Sequence, residues 1–528
     1  MTDNNSPKHP QLKVTRRDFL TAMSGALGGV ALTMYGDGGP RTAYGALPNG
    51  YNFYRVWTAN DGKIAPGTEG KVNPVFDMTA AVFMGTNPAL AGIFYIYFHG
   101  QQTAASNPNQ PDTLFFMNMD YSQTPPVPVF VDRLVAQGDS LSSSRVSGVP
   151  ADQLPLVVGR IGTGDANSLG HYATTLSVQD TNPTVARKSA PGVYLFDPTV
   201  EVWDKVARFG DPAPDGSQYG GIFGDVAIDD NDNVTFVAAT TASGGTQEGL
   251  QSSTATTQDA GSLMVMQKLM HVPQRQPDAA RVLLRTGDLL PGARAVIHSF
   301  GLVDVAADGG FVAQVTAAPT QGDDLRPGTA LIRGHVRLPA DTYRLLAASR
   351  HLVHPRLRRT IAIGDTYLGP RIGPGHVVAH ITHTTSHAHR LILNHRAYQQ
   401  PNLLKRTGQR SSIRGDGRRQ VAALGAPVIG TPTLTATGTS GTLTYTTEQL
   451  DDGSTVLTVS DGQTTQVLLK SGDLVQGKQI TEILHGYHPR QADTAGRIAF
   501  AAEFLKNAAG DPTDSNNLET SIVVGIPL

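Results

Sequence analysis

Six stretches of the chain run an apolar strand into a tight acidic turn, and five of them end in Gly-Asp. The five are Val135 to Asp139, Val206 to Asp211, Leu283 to Asp288, Ile361 to Asp365 and Leu468 to Asp473, and Val56 to Asp61 is a degenerate sixth. Successive aspartates lie 78, 72, 77, 77 and 108 residues apart, so one structural unit recurs roughly every 75 residues, with a longer interval near the end. Units of this kind bury their apolar faces against one another, which makes the period a statement about architecture before it is one about activity.

Each turn sits inside a longer consensus. Val206 to Pro214 precedes Phe223-Gly-Asp-Val-Ala-Ile-Asp-Asp-Asn-Asp-Asn-Val-Thr-Phe-Val-Ala238, and Leu283 to Gly292 precedes Phe300-Gly-Leu-Val-Asp-Val-Ala-Ala-Asp-Gly-Gly-Phe-Val-Ala-Gln-Val315. Both read as strand, turn, strand, Asp/Asn/Gly hairpin, strand. A further apolar strand opens after a glycine at Gly192, Gly261 and Gly328, which makes four strands per unit. The last unit stops after the strand that elsewhere precedes a Gly-Asp strand, and a strand of the Gly-Asp kind, Tyr51 to Asp61, stands near the N-terminus. The two ends are therefore complementary parts of one unit.

These observations predict an all-β chain folded as a β-propeller and closed by its N- and C-terminal strands, which hides sheet edges that would otherwise invite aggregation. Six blades is the simplest count; seven follows if the strands between Thr433 and Ser460 form a further blade rather than an insertion. An open β-solenoid and tandem β-sandwiches are the alternative architectures.

The N-terminus carries Thr15-Arg16-Arg17-Asp18-Phe19-Leu20, a glycine-interrupted apolar run from Leu20 to Met34, and small residues at Ala43-Tyr44-Gly45. This resembles a twin-arginine export signal spanning 1–45. The resemblance implies passage through the twin-arginine translocase and a periplasmic or extracellular destination for a single domain, 46–528. The apolar run is shorter than the ~20 residues a membrane helix needs, so no integral span is expected in the mature chain. With no cysteine among the 528 residues, disulfides, thiolate metal sites and cysteine nucleophiles are excluded. The 57 glycines and 34 prolines fit a fold with frequent turns. The Gly-Asp signature, the Pro-Gly that follows it and the Asp/Asn/Gly turn before the next strand together resemble the repeats of secreted bacterial proteins of unassigned function, of the choice-of-anchor type. That resemblance implies a repeat fold and transfers no catalytic residue.

Charge is distributed unevenly. Residues 333–419 hold 15 Arg and 1 Lys against 3 Asp, a net of +13, which leaves −15 for the rest of a chain whose total is −2. Arg350, Arg356, Arg358 and Arg359 form the dense part of this segment. Arg410, Arg414, Arg418 and Arg419 flank it within 396–430, a basic stretch that reads as a loop-rich insertion. The guanidinium fork suits phosphate, sulfate and carboxylate, so the segment is a candidate for an acidic polysaccharide or another polyanion.

The same segment concentrates histidines, among them His380, His387 and His389. His387 and His389 are two apart and would share a strand face, where they could hold a divalent metal. Aligning the strands Phe-Val-Ala-Ala, Phe-Val-Ala-Gln, Val-Val-Ala-His and Phe-Ala-Ala-Glu places Ala239, Gln314, His380 and Glu503 at equivalent positions. In a propeller such positions meet near the central channel, which makes His380 with Glu503 the candidate acid/base or metal pair of a hydrolase or lyase. A purely architectural envelope protein is the third reading. The repeated aspartates and the run Asp229 to Asn233 invite calcium, but turn formation accounts for both, with Asp accepting backbone N–H bonds and Gly supplying positive φ.

Overall fold

The computed structural model describes residues 49–528 apart from intervening segments, the longer of which are 59–82, 102–111, 242–261, 269–279, 408–421, 425–435 and 485–496; between 361 and 449 it describes backbone strands alone. The described strands form seven sheets. The first contains Phe83–Thr86, Ile93–Gln101, Asp112–Asp120 and Val127–Ala136. The second is built on Leu156–Ala166, Tyr172–Asp180, Ala190–Asp197 and Val202–Arg208, and the third on Gln218–Ile228, Asn233–Thr241, Ser262–Lys268 and Arg281–Arg285. The fourth consists of Ala295–Val305, Gly310–Pro319, Gly328–His335 and Arg344–Ser349. In each, four antiparallel strands follow chain order, as the repeat predicted.

The arrangement is that of a β-propeller. First strands of successive sheets lie beside one another, from the first sheet to the second and on through the third, fourth and fifth. Apolar side chains fill the space between neighbouring sheets. Tyr172, Tyr194 and Trp203 of the second sheet pack with Tyr97 and Phe116 of the first, and Phe236 and Val234 of the third pack with Val193 and Leu195 of the second. Each fully buried aromatic of this kind contributes about 1.5–3 kcal/mol. Ile96, Phe98 and Phe115 of the first sheet meet Ala499, Ile522 and Val524 near the C-terminus, which closes the ring.

Closure is also covalently out of order, as the sequence predicted. The seventh sheet takes Lys478–Ile483, Ile498–Leu505 and Leu518–Pro527 from the C-terminal end and Tyr51–Thr58 from the N-terminal end. Tyr51–Thr58 runs antiparallel to Leu518–Pro527, with Tyr51 opposite Pro527 and Tyr54 opposite Val524. Arg55 fastens it: Nη2 pairs with Glu519 at 2.5 Å, Nε donates to Ser521 Oγ at 3.2 Å, and the guanidinium lies 4.6 Å from the Phe504 ring centre.

The long interval before Asp473 holds two sheets. Thr366–Gly373, His376–Thr382, Ala388–Asn394 and Asn402–Thr407 make the fifth, and Ala436–Thr437, Thr444–Gln449, Thr455–Ser460 and Thr465–Lys470 make the sixth. The Gly-Asp strand at Ile361–Ile363 departs from its counterparts, adding as a fifth, parallel strand beside Arg344–Ser349. Within 396–430, Asn402–Thr407 pairs with Ala388–Asn394, and Ala422–Leu424 lies parallel beside it.

The Gly-Asp turn explains its own recurrence. Gly138, Gly210, Gly287 and Gly472 have φ of 89°, 82°, 91° and 97°, a region costly for residues with a Cβ. The following aspartate turns its carboxylate back on the strand it ends: Oδ2 of Asp139, Asp211, Asp288 and Asp473 accepts the backbone N–H three residues earlier, each time at 2.9 Å. The glycine N–H and aspartate carbonyl then bond the first strand of the next sheet. Gly287 donates to Ile297 O at 2.8 Å and Ile297 donates back to Asp288 O at 2.9 Å. The same two-way clip joins Gly138 and Asp139 to Val158, Gly210 and Asp211 to Tyr219, and Gly472 and Asp473 to Ile480. Thus the motif fastens the last strand of one sheet to the first strand of the next.

A Cβ at position 287 would meet nothing within 4 Å, so Gly287→Ala should cost about 1–2 kcal/mol through φ alone, read by chemical denaturation; an unchanged midpoint would refute the conformational role. Arg55→Met removes the charged fastening of the closing strand and should lower stability by about 1–2 kcal/mol.

Candidate functional site

Two regions gather polar side chains: a sealed junction between the second and third sheets, and the basic segment that begins in the fourth. The junction is made by hairpins. Leu156–Ala166 turns into Tyr172–Asp180 through Asn167 and His171, and Gln218–Ile228 turns into Asn233–Thr241 through Asp229 and Asp232. Asn167, Asp229 and Asp232 are buried, as is His171. Asn167 Nδ2 donates to Asp232 Oδ1 at 2.7 Å and to Asp229 O at 3.1 Å, while its Oδ1 accepts the His171 and Leu169 N–H groups. His171 Nδ1 lies 2.7 Å from Asp232 Oδ1, and its Nε2 lies 3.7 Å from Asp197 Oδ1.

An imidazole between two carboxylates has the composition of an acid/base site, but here Asp197 and the adjoining Asp229 also serve the backbone. Asp229 Oδ1 accepts the N–H groups of Asn231 and Asn233, and its Oδ2 accepts Asn233 Nδ2. Asp197 Oδ1 accepts the Thr199 N–H and hydroxyl. The run Asp229 to Asn233 thus does the turn-forming work expected of it. Asp232 adopts φ of 60° to present its carboxylate. The contacts pass from sheet to sheet: Tyr97 Oη of the first sheet donates to Gly170 O, and a Cβ on Gly309 of the fourth would stand 3.1 Å from Asp229 Oδ2. Sequence reasoning missed this junction because its partners stand about sixty residues apart; only the buried polarity of Asn167 and His171 sets it apart.

Nearer the axis, the innermost strands carry exposed Arg160, Ile222 and His298, none of which the sequence singled out. The innermost strands of the second, third and fourth sheets break step with their partners at a glycine: pairing skips between Ile161 and Gly164, Phe223 and Val226, and Phe300 and Val303. This irregularity alters the alignment drawn from sequence. Ala239, Gln314, His380 and Glu503 all lie on second strands, one step out from the axis. Gln314 falls opposite the interruption at Gly301, whereas His380 pairs directly with Leu368.

His380 belongs to the fifth sheet, where it pairs with Arg390 in the next strand, and His389 pairs with Ile381. Glu503, half-buried, belongs to the seventh and pairs with Glu482 and Thr520. The side chains of His380 and His389 lie outside the described residues, as does His387. Arg350 opens the short 3-10 turn Arg350–Leu352; Arg356, Arg358, Arg359, Arg410, Arg414, Arg418 and Arg419 lie outside the described residues.

What is described of the basic segment is its beginning. Arg337 and Arg344 are exposed, and neither has a carboxylate partner among the described residues. Arg344 Nη1 instead donates to the carbonyls of Tyr343 and Asp341 at 2.9 and 3.2 Å, which fixes its direction while leaving its charge uncompensated.

No protein-family model matches the chain, and no curated protein does. Solved structures similar to it include a protein of unknown function from Dyadobacter fermentans DSM 18053, 9% identical, covering 89% of this chain and 99% of that one with a TM-score of 0.31. The β-propeller domain of the Trilobed protease from Pyrococcus furiosus, described as having an open velcro topology, is 8% identical and covers 74% and 99% with a TM-score of 0.29. Polysaccharide lyase Uly1 is 9% identical and covers 85% and 78% with a TM-score of 0.30. Likenesses of this size carry no argument about activity. No helix among the described residues is long and apolar enough to cross a membrane.

If the junction is structural, Asn167→Ala should cost about 2–4 kcal/mol, because it strands several buried groups at once. Chemical denaturation reads this directly, and a cost below about 0.5 kcal/mol, the size of an ordinary surface change, would contradict it.

Proposed function

We propose that the protein is an exported β-propeller that binds a polyanion, such as an acidic polysaccharide, through the segment 333–419. One observation carries this reading: a net charge of +13 concentrated in 87 residues of a chain whose remainder is −15. Arginines concentrated in one stretch of an otherwise acidic chain give an anionic polymer a single region of attraction, and the guanidinium fork suits its carboxylate or sulfate groups. The exposed guanidinium groups of Arg337 and Arg344, without carboxylate partners among the described residues, support the reading because their charge remains available. Export rests on the twin-arginine pattern at Arg16 and Arg17, which puts such a propeller in contact with envelope polysaccharide.

The mature protein should be retained on immobilised heparin at low salt and elute as salt rises, since exposed charge is screened within about 10 Å at 0.1 M. Arg337→Glu together with Arg344→Glu should move elution to lower salt without loss of fold. Retention that is absent, or equal at low and high salt, would overturn the proposal.

A further inference from the structure

Arg208 ends the fourth strand of the second sheet and is 3% exposed. One of its donors is used: Nη1 bonds Gln153 Oε1 at 2.9 Å. The other edge of the guanidinium, Nε and Nη2, has no partner among the described residues. Tyr194, on the neighbouring strand and fully buried, has a hydroxyl in the same condition. The ladder sets Arg208 opposite Gly192, two residues before Tyr194. A Cβ on Gly192 would stand 3.1 Å from the Tyr194 ring and 3.2 Å from Arg208 Cα, so glycine there allows the phenol and the arginine to approach.

A buried guanidinium is costly in a low-dielectric interior without a counter-charge, and Arg208 has none among the described residues. Asp211, the carboxylate that follows it, is already engaged by the Arg208 backbone N–H at 2.9 Å and by Lys205 Nζ at 3.0 Å. Burial pushes the Tyr194 phenol well above its ordinary range, with the Arg208 charge acting in the opposite direction, so the hydroxyl keeps its proton to donate. Nε and Nη2 together form the edge of arginine that matches two oxygens of one planar group.

We propose that Arg208 and Tyr194 form a binding site for a small carboxylate, held by Nε and Nη2 of Arg208 and by the Tyr194 hydroxyl. The short 3-10 turn Ala151–Gln153 lies over this edge of the sheet and reaches Arg208 through Gln153. Because the free donors are closed to solvent, the anion enters as that turn lifts. The site belongs to the second sheet and is independent of the basic segment 333–419.

The test uses the full chain in Tris chloride at constant ionic strength, titrated with acetate, malonate or sulfate while the thermal midpoint is followed. The wild type should show a saturable rise with acetate or malonate, Arg208→Met none beyond the chloride control, and Tyr194→Phe a response needing about tenfold more anion, the loss of one charge-assisted hydrogen bond. Should Arg208→Met not fold, Tyr194→Phe carries the comparison. Equal responses in wild type and variant, or a rise that stays linear in concentration, overturn the site. A saturable response to sulfate alone overturns the carboxylate assignment.

Discussion

The two-way hydrogen bond between a Gly-Asp turn and the first strand of the following sheet is the interaction on which the rest of the molecule depends. A four-stranded sheet of this size cannot cover its own two faces, and the apolar layers between sheets favour close contact without dictating a particular register. The clip supplies the register. Glycine takes a φ that other residues resist, aspartate ties the turn to the strand it ends, and the freed peptide groups reach the next sheet at the same geometry each time. Buried polar groups then add direction at the opposite ends of the strands, where Asn167, His171, Asp229 and Asp232 join the second sheet to the third.

Much of this was legible in the sequence because it follows from local conformational rules. Gly-Asp announces a turn, the spacing announces a repeat, and the complementary ends announce a sheet completed by both termini. The described strands between Thr433 and Ser460 lie in one sheet with the Gly-Asp strand Thr465–Lys470. Other features were not legible because they depend on relations across the sheets. The glycine irregularity at Gly301 shifts pairing by a residue or more, so a gapless alignment of strands set His380 level with Gln314 when the ladder does not. The innermost strands proved to be those before the aligned ones, which brought Arg160 and His298 forward as exposed residues near the axis. Nothing local marks Arg208 as buried either, since arginine ends many exposed strands.

The architectural role of the repeated turns accounts for their acidic residues. The four repeated aspartates among the described residues, evident candidates for ion binding on composition, are occupied with backbone amides. Three of the four also pair with a cation of their own sheet: Arg133, Lys205 and Arg285. Among the described arginines of 333–419, Arg337 and Arg344 lie apart from that scheme, exposed on the fourth sheet and its turns. A ring fastened by short-range clips tolerates such a departure in composition because each sheet depends chiefly on its neighbours.

Native-state hydrogen exchange resolved to single amides tests the clip most directly. Gly138, Gly287 and Gly472 stand on exposed turns, where unbonded amides exchange almost freely, whereas amides bonded into a ring open only with the sheets they join. The account predicts that these three, with Gly210 and the partner amides of Val158, Tyr219, Ile297 and Ile480, exchange as slowly as the neighbouring ladder amides. Exchange of the four glycines at the rate of free surface loops would contradict it.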